Sequence, residues 1–131
     1  MSSKLSELAS QFKDAVNRFK EALRVKKDDI ICDAAIHRFE FTYELAWKLM
    51  KTLLAEKGGR DLHFPRDVMR NAFQAGLIDD DLWLKMIDTR NKTSHIYNEK
   101  MAEEVYDTFK DYLPLLEKFA EKLASCPQAA A

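Results

Sequence analysis

From Leu5 the apolar residues fall at Leu8, Phe12, Val16, Phe19 and Leu23, a spacing of three and four that only an α-helix gathers onto one face. The same period returns at Leu82, Trp83, Met86 and Ile87, and again from Met101 through Val105, Phe109, Leu113, Leu116 and Phe119 to Leu123. A β fold needs alternation and frequent turn residues, yet 131 residues hold only three Gly and three Pro. The chain therefore reads as all-α, and its length suits one domain with a real core.

Punctuation between the periodic stretches sets the elements. The first helix should run to about Val25, where Lys26-Lys27-Asp28-Asp29 makes a polar break with Asp28 or Asp29 as the next cap. A second helix spans Ile30 to Glu56 and closes at Gly58-Gly59. Pro65 opens a short helix of about ten residues that Gly76 ends. Asp79-Asp80-Asp81 puts negative charge at the start of the helix that leads into Arg90. Asn98 caps a last long helix in which Pro114 removes one hydrogen bond and predicts a kink. The expected architecture is an antiparallel up-and-down four-helix bundle with one additional short helix over residues 1–124, followed by a flexible tail, 125–131.

Lys and Arg number 21 against 22 Asp and Glu, so no overall field draws the protein onto a polyanion, and any nucleic-acid contact is a local patch. Cys32 and Cys126 signal neither a disulfide framework nor a zinc site, which fits a reducing cytosol. No stretch approaches the ~20 apolar residues of a membrane span, and the opening residues carry no secretory pattern; a cytoplasmic protein is expected.

The second helix is apolar on too many sides. Ile31, Ala35, Phe39, Phe41, Tyr43, Leu45, Ala46, Trp47, Leu49, Met50 and Leu53 cover roughly two-thirds of its circumference at about 100° per residue. Asp33, His37, Glu40, Glu44, Lys48 and Lys51 share the remaining stripe. The excess implies deep burial between neighbours or a second, intermolecular interface, hence a homodimer or higher homo-oligomer. Arg38 falls inside the apolar arc and needs a carboxylate or a phosphate, either as an internal ion pair or as a substrate-binding group.

Chemistry concentrates in Arg90-Asn91-Lys92-Thr93-Ser94-His95-Ile96-Tyr97. As an imidazole, His95 can exchange a proton with a ribose 2′-hydroxyl or a leaving oxygen, while Arg90 donates to phosphate oxygens as they gain charge. Asn91, Lys92, Thr93 and Ser94 add donors that could hold RNA. The scheme requires no metal and no cofactor. On a straight helix Arg90 and His95 would lie about 140° apart with about 7.5 Å of rise, so focusing them on one ligand needs a bent or ending helix or a symmetric partner. Arg90 and Tyr97 return to nearly the same face if the helix persists. The bland alternative makes His95 a surface or capping residue and Tyr97 a packing residue. His37, on the polar stripe, and His63, before Pro65, form no metal-ligand set with His95.

Arg90 to His95 has the form R-N-x-x-x-H, and with Tyr97 the form R-x4-H-x-Y, which resembles the HEPN superfamily and its HEPN/MNT toxin–antitoxin toxins. Arg38-Phe39-Glu40-Phe41-Thr42-Tyr43-Glu44-Leu45-Ala46-Trp47-Lys48 is similar to the second helix of the nucleotidyltransferase substrate-binding proteins of the same superfamily. The resemblance implies a dimeric four-helix bundle encoded beside a minimal nucleotidyltransferase, with two copies of the Arg90 segment facing across a cleft. For toxin members it implies metal-independent RNA cleavage by Arg90 and His95, silenced when the transferase adenylylates Tyr97. For the substrate-binding branch it implies a non-catalytic partner subunit instead.

Overall fold

The computed structural model describes residues 3–59 and 61–124. The helices are α1 (Ser3–Arg24), α2 (Asp29–Glu56), α3 (Pro65–Gln74), α4 (Leu82–Lys92), α5 (Glu99–Tyr106) and α6 (Phe109–Ala124), with a 3-10 turn, Thr93–His95, after α4. The tail expected at 125–131 lies outside the described residues.

Directions follow from which residues meet. Arg38 and Thr42 of α2 reach the carbonyls of Arg18 and Ala15 in α1, so later residues of one helix meet earlier residues of the other. Phe12 and Phe19 of α1 likewise meet Phe119 and Phe109 of α6, and Thr89 and Trp83 of α4 meet Tyr112 and Phe119. Helices α1, α2, α4 and α6 thus alternate in direction, the up-and-down bundle that short connections favour. Phe39 is its hub, fully buried with its ring 4.8 Å from Phe109, 5.9 Å from Tyr112 and 6.0 Å from Phe19.

Local chemistry explains the ends. Asp28, not Asp29, caps α2, its Oδ1 accepting from Ile31 N at 2.7 Å. At the other end Gly58 takes φ +82°, Gly59 N donates to Leu54 O at 2.9 Å and Gly58 N to Ala55 O at 3.1 Å. That Schellman pairing repeats after α3, where Gly76 has φ +76° and Leu77 N reaches Ala72 O at 2.9 Å. At α4 the useful aspartate is Asp80, whose Oδ1 accepts from Leu82 N at 2.9 Å.

One expectation changes, and one open alternative is resolved toward burial. The last helix is not continuous to Pro114: it is interrupted at Asp107-Thr108, and α6 carries Pro114 within it. Thr108 Oγ1 donates to Val105 O at 2.6 Å and Thr108 N to the same oxygen at 3.1 Å, so the carbonyl that would continue the α-helical ladder is taken locally. The excess apolar surface of α2 is largely consumed inside the bundle, since Ala35, Phe39, Tyr43, Ala46, Leu49, Met50 and Leu53 are buried. Only Ile31, Phe41, Leu45 and Trp47 of that arc stay half-exposed. Arg38 realises the internal pairing, with Nη1 2.6 Å from Arg18 O and 3.6 Å from Glu21 Oε1. None of the described helices is long and apolar enough to cross a membrane.

Candidate functional site

Helix α4 is anchored one residue before Arg90. Thr89 is buried, and its hydroxyl meets Tyr112 Oη of α6 at 2.7 Å, while Arg66 of α3 holds Asp88 at 3.2 Å. Beyond Arg90 the helix tightens and stops. Thr93 Oγ1 lies 2.7 Å from Arg90 O, and Ser94 Oγ donates to Asn91 O at 3.0 Å, so side-chain hydroxyls occupy the last helical carbonyls and a 3-10 turn results. Ile96 is extended at φ −90°, ψ 112°, and Asn98 restarts the chain as the α5 cap, accepting from Met101 N at 2.9 Å.

Arg90 and Tyr97 therefore do not share a helical face; the chain turns between them. His95 and Tyr97 come together instead, with Nδ1 3.0 Å from the phenolic oxygen and both side chains exposed. The hydrogen bond occupies Nδ1 and leaves Nε2 available. Which atom carries the proton follows from the tautomer: a hydroxyl donating to Nδ1 leaves Nε2 protonated, and the reverse leaves Nε2 as a base.

Arg90 points the other way, toward α2. Its Nη1 is 3.7 Å from Glu40 Oε2, and its Nε is 3.9 Å from Glu44 Oε1. Nη1 also donates to Thr93 Oγ1 at 3.3 Å, and Thr93 Oγ1 stands 3.1 Å from Glu40 Oε2. Glu44 is steadied by Trp47, whose indole N–H donates to it at 3.1 Å. The buried Nε of Arg90 has no hydrogen-bond partner, so its carboxylate neighbour supplies charge without a close contact. Beneath them Tyr43 is buried, and that burial, with the charge of Glu44, pushes its phenol well above the ordinary value.

His95, Asn91 and Lys92 face a cleft of about 350 Å³ between the end of α4 and α5, whose far wall is Met101, Glu104 and Val105. Asn91, Lys92 and Ser94 are exposed beside it. Arg38 is not part of this grouping, being engaged by α1. Glu40 and Glu44 read in sequence only as part of a polar stripe; a carboxylate pair four apart, with an arginine needing counter-charge elsewhere, was the available signal. The Met101–Val105 wall had no signal, because helix periodicity marks those residues simply as core.

Comparison with known proteins places these observations. Residues 7–125 match the family described as nucleotidyltransferase substrate binding protein like. A curated Haemophilus influenzae protein, described as probable ribonuclease HepT, is 37% identical over 90 residues, covering 65% of this chain and 62% of that protein. The chain thus spans less than two-thirds of that relative's length. A Thermus thermophilus crystal structure superposes with TM-score 0.78 at 35% identity, covering 85% of this chain and 97% of that one. A Haemophilus influenzae structure, described as revealing the fold of a substrate binding domain of a nucleotidyltransferase, has TM-score 0.78 at 29% identity and covers 86% and 96%.

Proposed function

The chain belongs to the nucleotidyltransferase substrate binding protein like family, and we propose that it acts there as the toxin partner of a minimal nucleotidyltransferase, a metal-independent ribonuclease silenced by adenylylation of Tyr97. The observation that carries this reading is the 3.0 Å contact between His95 Nδ1 and Tyr97 Oη at an exposed, clefted helix end. It ties the proton-transfer group to the modified hydroxyl in one unit. The 37% identical relative described as a probable ribonuclease supports it as well.

In the proposed reaction His95 takes the proton of a ribose 2′-hydroxyl. The 2′-oxygen then bonds to the adjacent phosphorus, the P–O5′ bond breaks, and the leaving oxygen is protonated to give a 2′,3′-cyclic phosphate and a 5′-hydroxyl. Arg90 stabilises the charge on the phosphate oxygens, with Asn91, Lys92 and Ser94 holding the strand. In this reading two copies of the segment meet in a homodimer, one supplying Arg90 and the other His95. Silencing forms a bond between Tyr97 Oη and the α-phosphorus of ATP while pyrophosphate leaves. The new phosphodiester removes the hydroxyl proton from the His95 contact and sets negative charge where RNA phosphate must bind.

RNA incubated in excess chelator is expected to be cut by the wild type and not by His95→Ala; equal cleavage, or none at high protein concentration, refutes the nuclease reading. With the neighbouring transferase and ATP, mass spectrometry should find the nucleotide on Tyr97 and none on Tyr97→Phe. Sedimentation should give a dimer, and a monomer mass removes the shared cleft.

A second reading, a non-catalytic substrate-binding subunit, is favoured by one observation. Arg90 is committed to Glu40 and Glu44 rather than turned toward the His95 cleft. Transfer to Tyr97 without any chelator-resistant cleavage selects it.

A further inference from the structure

Beside the proposed proton-transfer group the cleft has a composition that phosphate chemistry does not explain. Ile96, Met101 and Val105 give it an apolar wall, while Asn91, Lys92 and His95 line the α4 side and Glu104 the α5 side, with Thr89 and Thr108 completing the lining. A site made only to hold a phosphodiester would be lined by donors and positive charge. Here one lysine, Lys92, shares the lining with a carboxylate, Glu104, and three apolar side chains, more than a phosphate alone calls for.

The volume, about 350 Å³, lies in the range that small-molecule pockets occupy, and an apolar floor with few convergent polar groups is their usual make-up. A nucleobase fits that description, because its faces are apolar and its edge is polar. The flat faces would lie against Met101 and Ile96, and the edge would reach Glu104 and Asn91. A carboxylate can only accept hydrogen bonds, so it pairs well with an exocyclic amino group, whereas uracil offers it a single N3–H flanked by two carbonyl oxygens that repel it. Asn91 supplies both a donor and an acceptor and tolerates any base.

We propose that this cleft is a nucleobase subsite selective for amino-bearing bases, with Glu104 as the specificity-determining group and Met101 as the stacking wall. It rests on the reading of the Arg90–His95 segment as an RNA-cutting site, and supplies that site with a sequence preference. The phosphate beside the seated base is the one presented to His95. A nucleotide attached to Tyr97 would offer the same base chemistry, and the two sources differ in which reaction responds to Glu104.

The test is a titration of the full-length protein, methyl-labelled at Met, Ile and Val, with AMP, CMP, GMP and UMP. The methyl signals of Met101, Ile96 and Val105 should shift with the first three, and UMP should bind roughly tenfold more weakly, within the range of a single good base contact. Glu104→Gln, an exposed conservative change, should bring UMP level with the others because an amide also donates. Met101→Gln should weaken all four. No methyl shifts at millimolar nucleotide, or UMP binding as well as the rest to the wild type, overturns the subsite. His95→Ala should abolish cleavage while UMP remains the weakest binder of the four nucleotides. Nucleotide binding in a wild type that never cuts RNA keeps the subsite and rejects the nuclease reading. Cleavage without base preference and without nucleotide binding does the opposite. If Glu104→Gln changes the bases flanking the cut, the RNA strand is the occupant; if it changes only the rate of nucleotide transfer to Tyr97, the RNA assignment is overturned.

Discussion

At the residue scale, the environment of each ionisable group sets what it can do. Cys32 is buried, and that burial pushes its thiol above the ordinary value despite the opposing charge of Lys27. It should therefore react with a thiol reagent far more slowly in the folded protein than after denaturation, and equal rates by absorbance would contradict its burial. Tyr43 offers a pH test with a defined sign. Its folded pKa is raised above an ordinary value of 10.0, so the neutral phenol is favoured by folding. The stability this contributes is complete below pH 10 and lost as pH rises further. Urea midpoints of the wild type should fall between pH 8 and the onset of phenol ionisation in the unfolded chain only slightly, then steeply above it, and Tyr43→Phe should flatten the steep part. For Arg90, the carboxylates of Glu40 and Glu44 fix its direction. In Glu40→Gln with Glu44→Gln, the guanidinium gains freedom and loses two competitors for phosphate. Under the proposed nuclease reading, RNA should bind more tightly while kcat drops by about tenfold, the penalty of a misaligned group; unchanged kcat and KM would remove the positioning role.

The elements owe their ends to a few side chains and glycines. The α2 terminus depends on Gly58 at φ +82°, where any Cβ is strained although space is open around it. Gly58→Ala should destabilise the protein by about 1 kcal/mol, read as a lower urea midpoint with an unchanged slope. At Gly59 the reason is different: an added Cβ would lie 2.7 Å from Leu54 O, backbone that cannot move without breaking the Schellman bond. The break between α5 and α6 follows the same logic from the opposite direction, since Thr108 satisfies Val105 O and ends the ladder ahead of the proline. A reading that weighs only proline misses it, because a mid-helix threonine carries no strong sequence signal.

Across the whole molecule, stability converges on the Phe19–Phe39–Phe109–Tyr112 cluster, where three helices meet. Phe39→Ala should cost about 3–5 kcal/mol, a large share of an ordinary domain's total, and a melt unaffected by this change would show the packing to be wrong. The same cluster holds Tyr112 against Thr89, so the core and the candidate site share a member. Loosening the core is expected to loosen the Arg90 segment with it.

Apolar periodicity, the two Gly turns and the polar breaks were enough to define the class, the bundle and most element limits, because these are local properties of consecutive residues. The linear pattern also marked Arg90, His95 and Tyr97 as candidates and exposed the difficulty of focusing them from one straight helix. Tertiary structure decided the rest. It ended α4 in a 3-10 turn, set Tyr97 against His95, turned Arg90 onto two carboxylates more than forty residues earlier in the chain, and opened a cleft whose far wall comes from α5. Each of these joins residues that only packing brings together, and a linear pattern carries no term for which face of one helix another helix will meet.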